Sequence, residues 1–585
     1  MEYAPNINYL WTTLLIEELI RSGCTHFVIA PGSRSTPLVA AVATNKKATH
    51  AITFDERSAG FYALGHAKVT GYPCALIVTS GTAVANLMPA VVEASLDRIP
   101  MLILSADRPW ELRDVSANQT IYQSEFFGSY ARWFFELPCP NDKTPYDVVL
   151  SAASYAVWQS RYPLPGPVHL NCLFREPLAP NMEPYESDEN ALLGWHARTE
   201  ARTFYDLPKK SVSKEALRSV SAMLEAAKNG LLVVGDIRDE EASKALLALG
   251  KKLCWPIHAD IASVLHKLLD PHIIKHDQYL FQHADIKALD FDVVLQVGGR
   301  LIAKPVEELL KNRRGIHIFV DDHHKRSDPG LSVTHRLDGD IELFARELTT
   351  LLAKKPSLLL PIWLSLADKF DSIITDLIKE GDKATEPFVA HHISQVIDKQ
   401  CMLMACTSMP IRDYHFFARY RDDGGPKIVV NRGTSGIDGL ISTAIGFSHA
   451  SKKRCTVLIG DLAFMHDANA LALLQQLSVP MCIVAINNQG GAIFSFLPVA
   501  KFPHILTPFI DTPHDHDLAY FAKVFHIKHC LAITKTEFID SYKEAKKAGH
   551  HIIIEVRSDK ESNFLLHERI KKALLSLEGL PPVCR

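Results

Sequence analysis

Two polar residues at the ends of apolar runs are placed to do chemistry. One run, Cys455 to Ile459, ends in Gly460-Asp461, and a second, Met481 to Ile486, ends in Asn487-Asn488. A helical pattern through Leu471, Leu474 and Leu477 separates them, so the stretch reads as strand–helix–strand. Asp461 and Asn488, 27 positions apart, therefore fall at the ends of two strands. Open parallel sheets bind ligands at the carboxyl ends of their strands. A carboxylate and an amide oxygen beside flexible glycines suit Mg²⁺ held against a diphosphate. Two polar-capped turns would use the same residues.

Three turns nearer the N-terminus carry further candidates. Pro31-Gly32-Ser33-Arg34-Ser35-Thr36-Pro37 follows an apolar run; Ser35 or Thr36 can cap a helix that starts near Pro37. Free backbone N–H groups beside Arg34 make this turn either an anion site or a plain capped turn. Phe54-Asp55-Glu56-Arg57 places two acids at the start of a helix rich in Ala and Gly, where the helix dipole favours them. Ser105-Ala106-Asp107-Arg108-Pro109 ends another strand, with Asn118-Gln119 shortly beyond. These side chains could line one cleft or satisfy a loop.

The elements that must position these residues alternate. Residues 5–180 contain expected strands Thr25–Ala30, Ala75–Thr79, Met101–Ala106 and Pro167–Leu170, and helices Trp11–Ser22, Glu56–Thr70 and Ala83–Ser95. Such alternation argues for a parallel sheet covered on both faces. Glu176 to Lys214 reads as a linker. A second block, 215–350, has strands Gly230–Val234 and Val293–Val297, and Ala353–Pro361 reads as a junction. A third block, 375–560, holds the opening motif and ends with strand Ile552–Val556.

Bulk properties narrow the partners. The 585 residues are too many for one core. A net charge of −3 gives no global case for nucleic acid or an anionic membrane, so an anionic substrate must be met by local arginines. The eleven cysteines form no CxxC pair and read as reduced thiols of a cytoplasmic protein. Glu2, Glu17 and Glu18 in an amphipathic N-terminal pattern argue against a signal peptide. No apolar run approaches the length that a bilayer requires.

With the GD and NN pairs and Glu56 in place, the chain resembles the thiamine diphosphate-dependent enzymes, and most closely their carboligases of menaquinone biosynthesis. The likeness lies in PGSRSTPL (31–38), FDERSAGFYALGHAK (54–68), TSGTAVANL (79–87), ADRPWELR (106–113), ANQ (117–119), NRGTSGIDGL (431–440) and NNQGGAIFSFLP (487–498). It implies an α/β chain of three doubly wound parallel-sheet domains: a pyrimidine-binding domain at 1–185, a central domain at 186–360 and a diphosphate- and metal-binding domain at 361–585. It implies thiamine diphosphate with Mg²⁺ or Mn²⁺, decarboxylation of 2-oxoglutarate, and 1,4-addition of the succinyl unit to isochorismate. The assembly would be a homodimer or tetramer with active sites between subunits.

The resemblance also assigns roles. Glu56 would hydrogen-bond the cofactor's aminopyrimidine ring, its pKa raised by burial so that it shares a proton with that ring. Arg34, Arg108, Arg412 and Arg432 would bind substrate carboxylates through bidentate forks, with Ser33, Asn118, Gln119 and Lys304 beside them. Ser33, Arg34, Gln119 and Arg432 would act in catalysis with Glu56. Ile493, Phe494 and Leu497 would form an apolar wall, and Ile437 a wedge bending the cofactor, with Ser435 close by. Ser408, Gly460, Leu462 and Ala463 would border the diphosphate; Asp461, Asn488 and the Gly490 carbonyl would hold the metal. Leu462 stands where many thiamine enzymes have a second glycine, a departure shared by the narrower group. Pro305 stands where a second basic residue is expected after Lys304.

Other histidine-rich stretches, His323-His324, His391-His392 and His514-Asp515-His516-Asp517, lack paired metal-ligand spacing and are expected as solvated or capping residues. His466-Asp467 is expected at a helix start, and Lys452-Lys453-Arg454 in a solvated turn. Two alternatives stay open: an acetolactate-synthase-like carboligase acting on small apolar 2-oxo acids, and a non-catalytic descendant of the fold.

Overall fold

The computed structural model describes residues 4–186, 189–289, 291–313, 315–353 and 359–577. Among these residues, seventeen strands form three sheets, and each described pairing is parallel. The first sheet contains β1 (His26–Ile29), β2 (Thr49–Ile52), β3 (Cys74–Val78), β4 (Met101–Asp107), β5 (Trp133–Leu137) and β6 (Pro167–Leu173), ordered β2-β1-β3-β4-β6-β5. The second contains β7 (Gly230–Val234), β8 (Ile257–Ala259), β9 (Val293–Val297), β10 (Ile316–Asp321) and β11 (His335–Asp338), ordered β11-β10-β9-β7-β8. The third contains β12 (Met402–Ala405), β13 (Lys427–Val429), β14 (Cys455–Gly460), β15 (Met481–Asn487), β16 (Lys528–Ala532) and β17 (Ile552–Arg557), ordered β13-β12-β14-β15-β17-β16.

The first and third sheets thus repeat one winding. In each, the strand order reverses between the first and third strands, and the turns leaving those strands open a crevice. The central strands β1, β3, β4 and β6 are buried along their whole length, as a sheet covered on both faces requires.

Two compact bodies carry these sheets. The first comprises the chain up to Leu207 with Asn431–Arg454 and Leu462–Met481; the second comprises Pro208–Val430, Cys455–Asp461 and the chain from Cys482 onward. The first body holds the first sheet, and the second body holds the other two. Within the first body, helix Glu56–Thr70 and helix Leu440–Ser451 lie backbone against backbone. A Cβ on Gly65 would stand 2.0 Å from the Thr443 carbonyl oxygen, and one on Gly446 2.0 Å from that of Tyr62. Glycine weakens a helix interior by about 1 kcal/mol, yet only glycine permits this approach. In the second body one apolar core joins Leu231 and Val294 to Leu403, Val484 and Ile554, with Trp363 and Phe370 among them.

Some expected elements differ. Ala83–Ser95 is two helices, Thr82–Ala85 and Met88–Asp97, because Pro89 lacks the N–H that would continue the first. The edge strand β5 was not expected; its half-buried aromatic residues lack a clean alternation. The Glu176–Lys214 linker contains helix Glu189–His196, whose Leu192 and Trp195 enter the first core. The Ala353–Pro361 junction falls mainly on 354–358, outside the described residues, and helix Leu359–Lys379 follows. Of His466-Asp467, His466 ends helix Asp461–His466, while Asp467 stands at the start of the 3₁₀ helix Ala468–Gln476, as expected. His391 is buried and bonds the Phe417 carbonyl at 2.9 Å, and His323 is buried 3.0 Å from Asp321; neither is solvated. No described helix is long and apolar enough to cross a membrane.

Candidate active site

In the first body, the candidates cluster where β1 to β4 end. Ser33–Ser35 forms a tight turn just beyond β1, with Ser33 exposed. Arg34, its side chain 12% exposed, donates to the Phe174 carbonyl at 3.0 Å and lies 3.2 Å from Glu176. Its Nε is buried without a hydrogen-bond partner among the described residues. Arg108 follows β4 and donates to Ser80 Oγ and, at 3.0 Å, to the Gln119 carbonyl. Gln119, held at φ 56, returns a bond from Nε2 to the Ser80 carbonyl at 3.0 Å. Burial and the adjacent Arg34 guanidinium hold Arg108 below its usual range. Two like charges are thus brought together, an arrangement suited to a dianion. Asn118 is exposed beside them.

Glu56 opens its helix directly behind the cap Asp55, whose carboxylate accepts the backbone N–H groups of Arg57 and Ser58. Glu56 Oε2 accepts from Asn86 Nδ2 at 3.3 Å. Glu56 is half-buried within this chain. Ile52 and Phe54 beside it are 46% and 66% exposed.

The Asn431–Gly439 turn is pinned by a residue the sequence did not single out. Buried Glu93 accepts from Gly433 N–H at 2.8 Å, Thr434 N–H at 2.6 Å and Thr434 Oγ1 at 2.7 Å. Lys68 Nζ bonds Asn431 Oδ1 at 2.9 Å. So anchored, Arg432 reaches Ser435 Oγ at 2.9 Å, Ser435 sits at φ 59, and Ile437 is 38% exposed. Leu462 and Ala463 follow Asp461 in helix Asp461–His466, with Ala463 buried.

In the second body, the opening motif sits as its spacing predicts. Gly460 closes β14, and Asp461 begins the next helix with its side chain 3% exposed. Gly490 N–H donates to Asp461 Oδ2 at 3.0 Å. The Gly490 carbonyl accepts from Ala492 N–H at 3.0 Å, and Gly490 holds φ 141, a region open to glycine. Asn488 Nδ2 donates to buried Glu386 at 2.8 Å. Burial and the nearby Asp413 and Asp461 carboxylates push Glu386 up to about 8. Sequence gave no signal for Glu386 beyond an acid in a helix's first turn.

Ser408 stands at φ 74 before helix Met409–Phe417; its side chain makes no capping bond, and its carbonyl accepts from Arg412 at 2.6 Å. Ile493 and Phe494 lie half-buried in the turn Ala492–Phe496, with Leu497 37% exposed just after it. Lys304 is exposed at the start of helix Lys304–Asn312 and follows a strand of the second sheet, unlike the other candidates.

These residues fit a cation against an anionic group. Among the described residues, Asn488 Oδ1 is a buried oxygen without a hydrogen-bond partner, two positions before the Gly490 N–H that donates to the buried Asp461 carboxylate. A buried acceptor left unpaired is unfavourable unless something binds it, and Mg²⁺ or Mn²⁺ takes such oxygen donors.

Comparison with known proteins supplies the family. Three models match in sequence: the N-terminal TPP binding domain of thiamine pyrophosphate enzymes over residues 11–126, their middle domain over 189–404, and their C-terminal TPP binding domain over 414–556. A 2-succinyl-5-enolpyruvyl-6-hydroxy-3-cyclohexene-1-carboxylate synthase of Prosthecochloris aestuarii is 39% identical, over 97% of this chain and 98% of its own. Synthases of the same name from Chlorobaculum tepidum and Salinibacter ruber are 40% and 37% identical; each alignment covers 98% of this chain, with 98% and 97% of theirs. An X-ray structure described as a thiamin diphosphate-dependent enzyme from Mycobacterium smegmatis shares the fold, with TM-score 0.71 at 18% identity over 94% of this chain and 99% of its own. The cofactor of such a chain is thiamine diphosphate. The chain belongs to the thiamine pyrophosphate enzymes and, among them, to the family of 2-succinyl-5-enolpyruvyl-6-hydroxy-3-cyclohexene-1-carboxylate synthases.

Proposed function

We propose that the chain decarboxylates 2-oxoglutarate and adds the remaining succinyl unit to isochorismate, giving 2-succinyl-5-enolpyruvyl-6-hydroxy-3-cyclohexene-1-carboxylate and CO₂. The observation that carries this reading is the pair Arg34 and Arg108 beyond the ends of β1 and β4, where burial and the Arg34 guanidinium lower Arg108 from its usual range. A small apolar 2-oxo acid has no use for such a pair, whereas a dicarboxylate neutralises it. The names of the full-length relatives support the same product.

Thiamine diphosphate, when bound, supplies the electron sink for decarboxylation. Asp461, Asn488 and Gly490 hold Mg²⁺ or Mn²⁺ against its diphosphate, bordered by Ser408, Gly460, Leu462 and Ala463. Glu56 holds a proton at its carboxyl next to the aminopyrimidine ring. Arg34, Arg108, Arg412 and Arg432 orient the carboxylates, with Ser33, Asn118, Gln119 and Lys304 nearby. Ile437, Ile493, Phe494 and Leu497 exclude water from the reacting atoms, with Ser435 near Ile437.

The three domains divide at 1–185, 186–360 and 361–585. A homodimer or tetramer with active sites between subunits would cover the exposed Ile52 and Phe54 beside Glu56. A cytoplasmic location agrees with buried thiols such as Cys24, Cys74 and Cys172.

Steady-state turnover of 2-oxoglutarate against pyruvate tests the substrate class. Preference for 2-oxoglutarate that falls at least tenfold in Arg34→Ala and Arg108→Ala is expected. Faster turnover of pyruvate would favour an acetolactate-like carboligase.

A further inference from the structure

The stretch His514-Asp515-His516-Asp517, unremarkable by spacing, lies against the metal motif. In the second body, His514 Nε2 stands 3.2 Å from Asp461 Oδ2, and the His514 side chain is only 7% exposed. Hydrogen-bond geometry is not met, so Nε2 is a buried nitrogen without a hydrogen-bond partner among the described residues.

The other ring nitrogen is committed. His516 N–H donates to His514 Nδ1 at 3.2 Å. A ring nitrogen that accepts a backbone N–H carries no proton, so the proton of the neutral ring sits on Nε2. This assignment removes two roles. A protonated Nε2 cannot ligate a metal, and a doubly protonated ring would lose the bond from His516. What remains is a neutral N–H donor, buried beside Asp461 and lacking an acceptor.

The segment that presents His514 is tied to the motif. Gly491 N–H donates to the Asp511 carbonyl at 2.7 Å, and Asn487 Nδ2 to the His516 carbonyl at 3.2 Å. Lys560 bonds both the Asp511 carboxylate and, at 3.4 Å, the Gln489 carbonyl. The donor is therefore positioned before any ligand arrives.

We propose that His514 Nε2–H donates to an anionic oxygen of the cofactor's diphosphate, making His514 a cofactor-binding residue alongside Asp461 and Asn488. The inference rests on the metal–diphosphate reading of those two residues. A bond from a neutral N–H to a charged oxygen adds affinity for the diphosphate and none for the thiazolium or pyrimidine ring.

Calorimetric titration of the full-length protein in Mg²⁺ with thiamine diphosphate, and separately with inorganic pyrophosphate, tests this. His514→Leu should weaken both by roughly 10- to 100-fold. His514→Gln, which retains an N–H donor, should recover most of the affinity, and the ³¹P resonance of bound thiamine diphosphate should move in His514→Leu and return in His514→Gln. Wild-type binding of both probes by His514→Leu would overturn the proposal. So would a loss matched by an equal loss of Mn²⁺ affinity, measured by electron paramagnetic resonance without cofactor, since His514 would then act only through Asp461. In wild-type protein with ¹⁵N-labelled histidine, an Nε2–H signal protected from exchange should appear on cofactor saturation; its absence would overturn the proposal without any variant. Asp461→Ala serves as the separate control: undiminished binding there would overturn the metal–diphosphate reading itself.

Discussion

Gly490 N–H and Asp461 Oδ2 meet at 3.0 Å, joining the turn after one strand of the third sheet to the end of the strand beside it. One carboxylate oxygen is thereby fixed by the backbone. Among the described residues, Asn488 Oδ1, two positions before Gly490, is buried without a hydrogen-bond partner.

On the proposed metal–diphosphate reading, metal binding depends on Asn488. Asn488→Leu removes the unpaired oxygen while keeping an apolar side chain of similar size. Mg²⁺-dependent binding of thiamine diphosphate, followed by tryptophan fluorescence, should weaken by at least the roughly 10- to 100-fold seen when a ligand's outer partner is lost. Unchanged dependence on Mg²⁺ would place the metal elsewhere.

Glu56 should separate binding from turnover. Glu56→Gln keeps the shape and the contact to Asn86 but cannot take a proton. Cofactor affinity should stay within about fivefold while kcat falls by roughly 10²- to 10⁴-fold, the range of one general acid–base group. Near-normal kcat would contradict the role.

Glu93 should matter for stability and for Arg432 together. Its buried carboxylate takes three bonds from Gly433 and Thr434, so Glu93→Ala leaves those donors unpaired. Chemical denaturation should show a loss of about 3 kcal/mol. In variants that remain folded, KM for the carboxylate substrates should rise as the Arg432 turn loosens.

Acid should weaken the first body through its buried histidines. His26 and His66 stack at 4.2 Å near His449. Burial pushes His26 down to about 2 and His66 to about 4, each helped by neighbouring histidines. Both folded values lie below the unfolded value near 6.5, so the unfolded chain takes up protons first as pH falls. The stability of the neutral stack is fully present above about pH 6.5 and is lost progressively below it, by up to about 1.4 kcal/mol per pH unit for each histidine. His66→Phe should flatten the decline measured by thermal unfolding between pH 7 and 5. An unaltered slope would exclude the stack as its cause.

Much of this architecture was legible because it follows local rules. Strand β9, Val293–Val297, and helix Glu56–Thr70 match their expected bounds, since an unbroken apolar run and a capped Ala- and Gly-rich segment leave little alternative. The placement of Asp461 and Asn488 just beyond two neighbouring strands was legible because apolar runs and the polar residues that end them are both written in the sequence. Glu93, Glu386 and His514 were not, because their importance comes from partners 340, 102 and 53 positions away. No periodicity records such contacts. The half-burial of Glu56 was equally invisible, since a capped helix start looks the same whether or not a second surface covers it.

The central claim is that the arginine-lined site takes two dianions on thiamine diphosphate. The most direct measurement is product formation by the purified protein supplied with thiamine diphosphate, Mg²⁺, 2-oxoglutarate and isochorismate, followed by mass spectrometry. Formation of 2-succinyl-5-enolpyruvyl-6-hydroxy-3-cyclohexene-1-carboxylate, dependent on isochorismate and absent when pyruvate replaces 2-oxoglutarate, is expected. Equal or greater carboligation with pyruvate, or no isochorismate-dependent product, would contradict it.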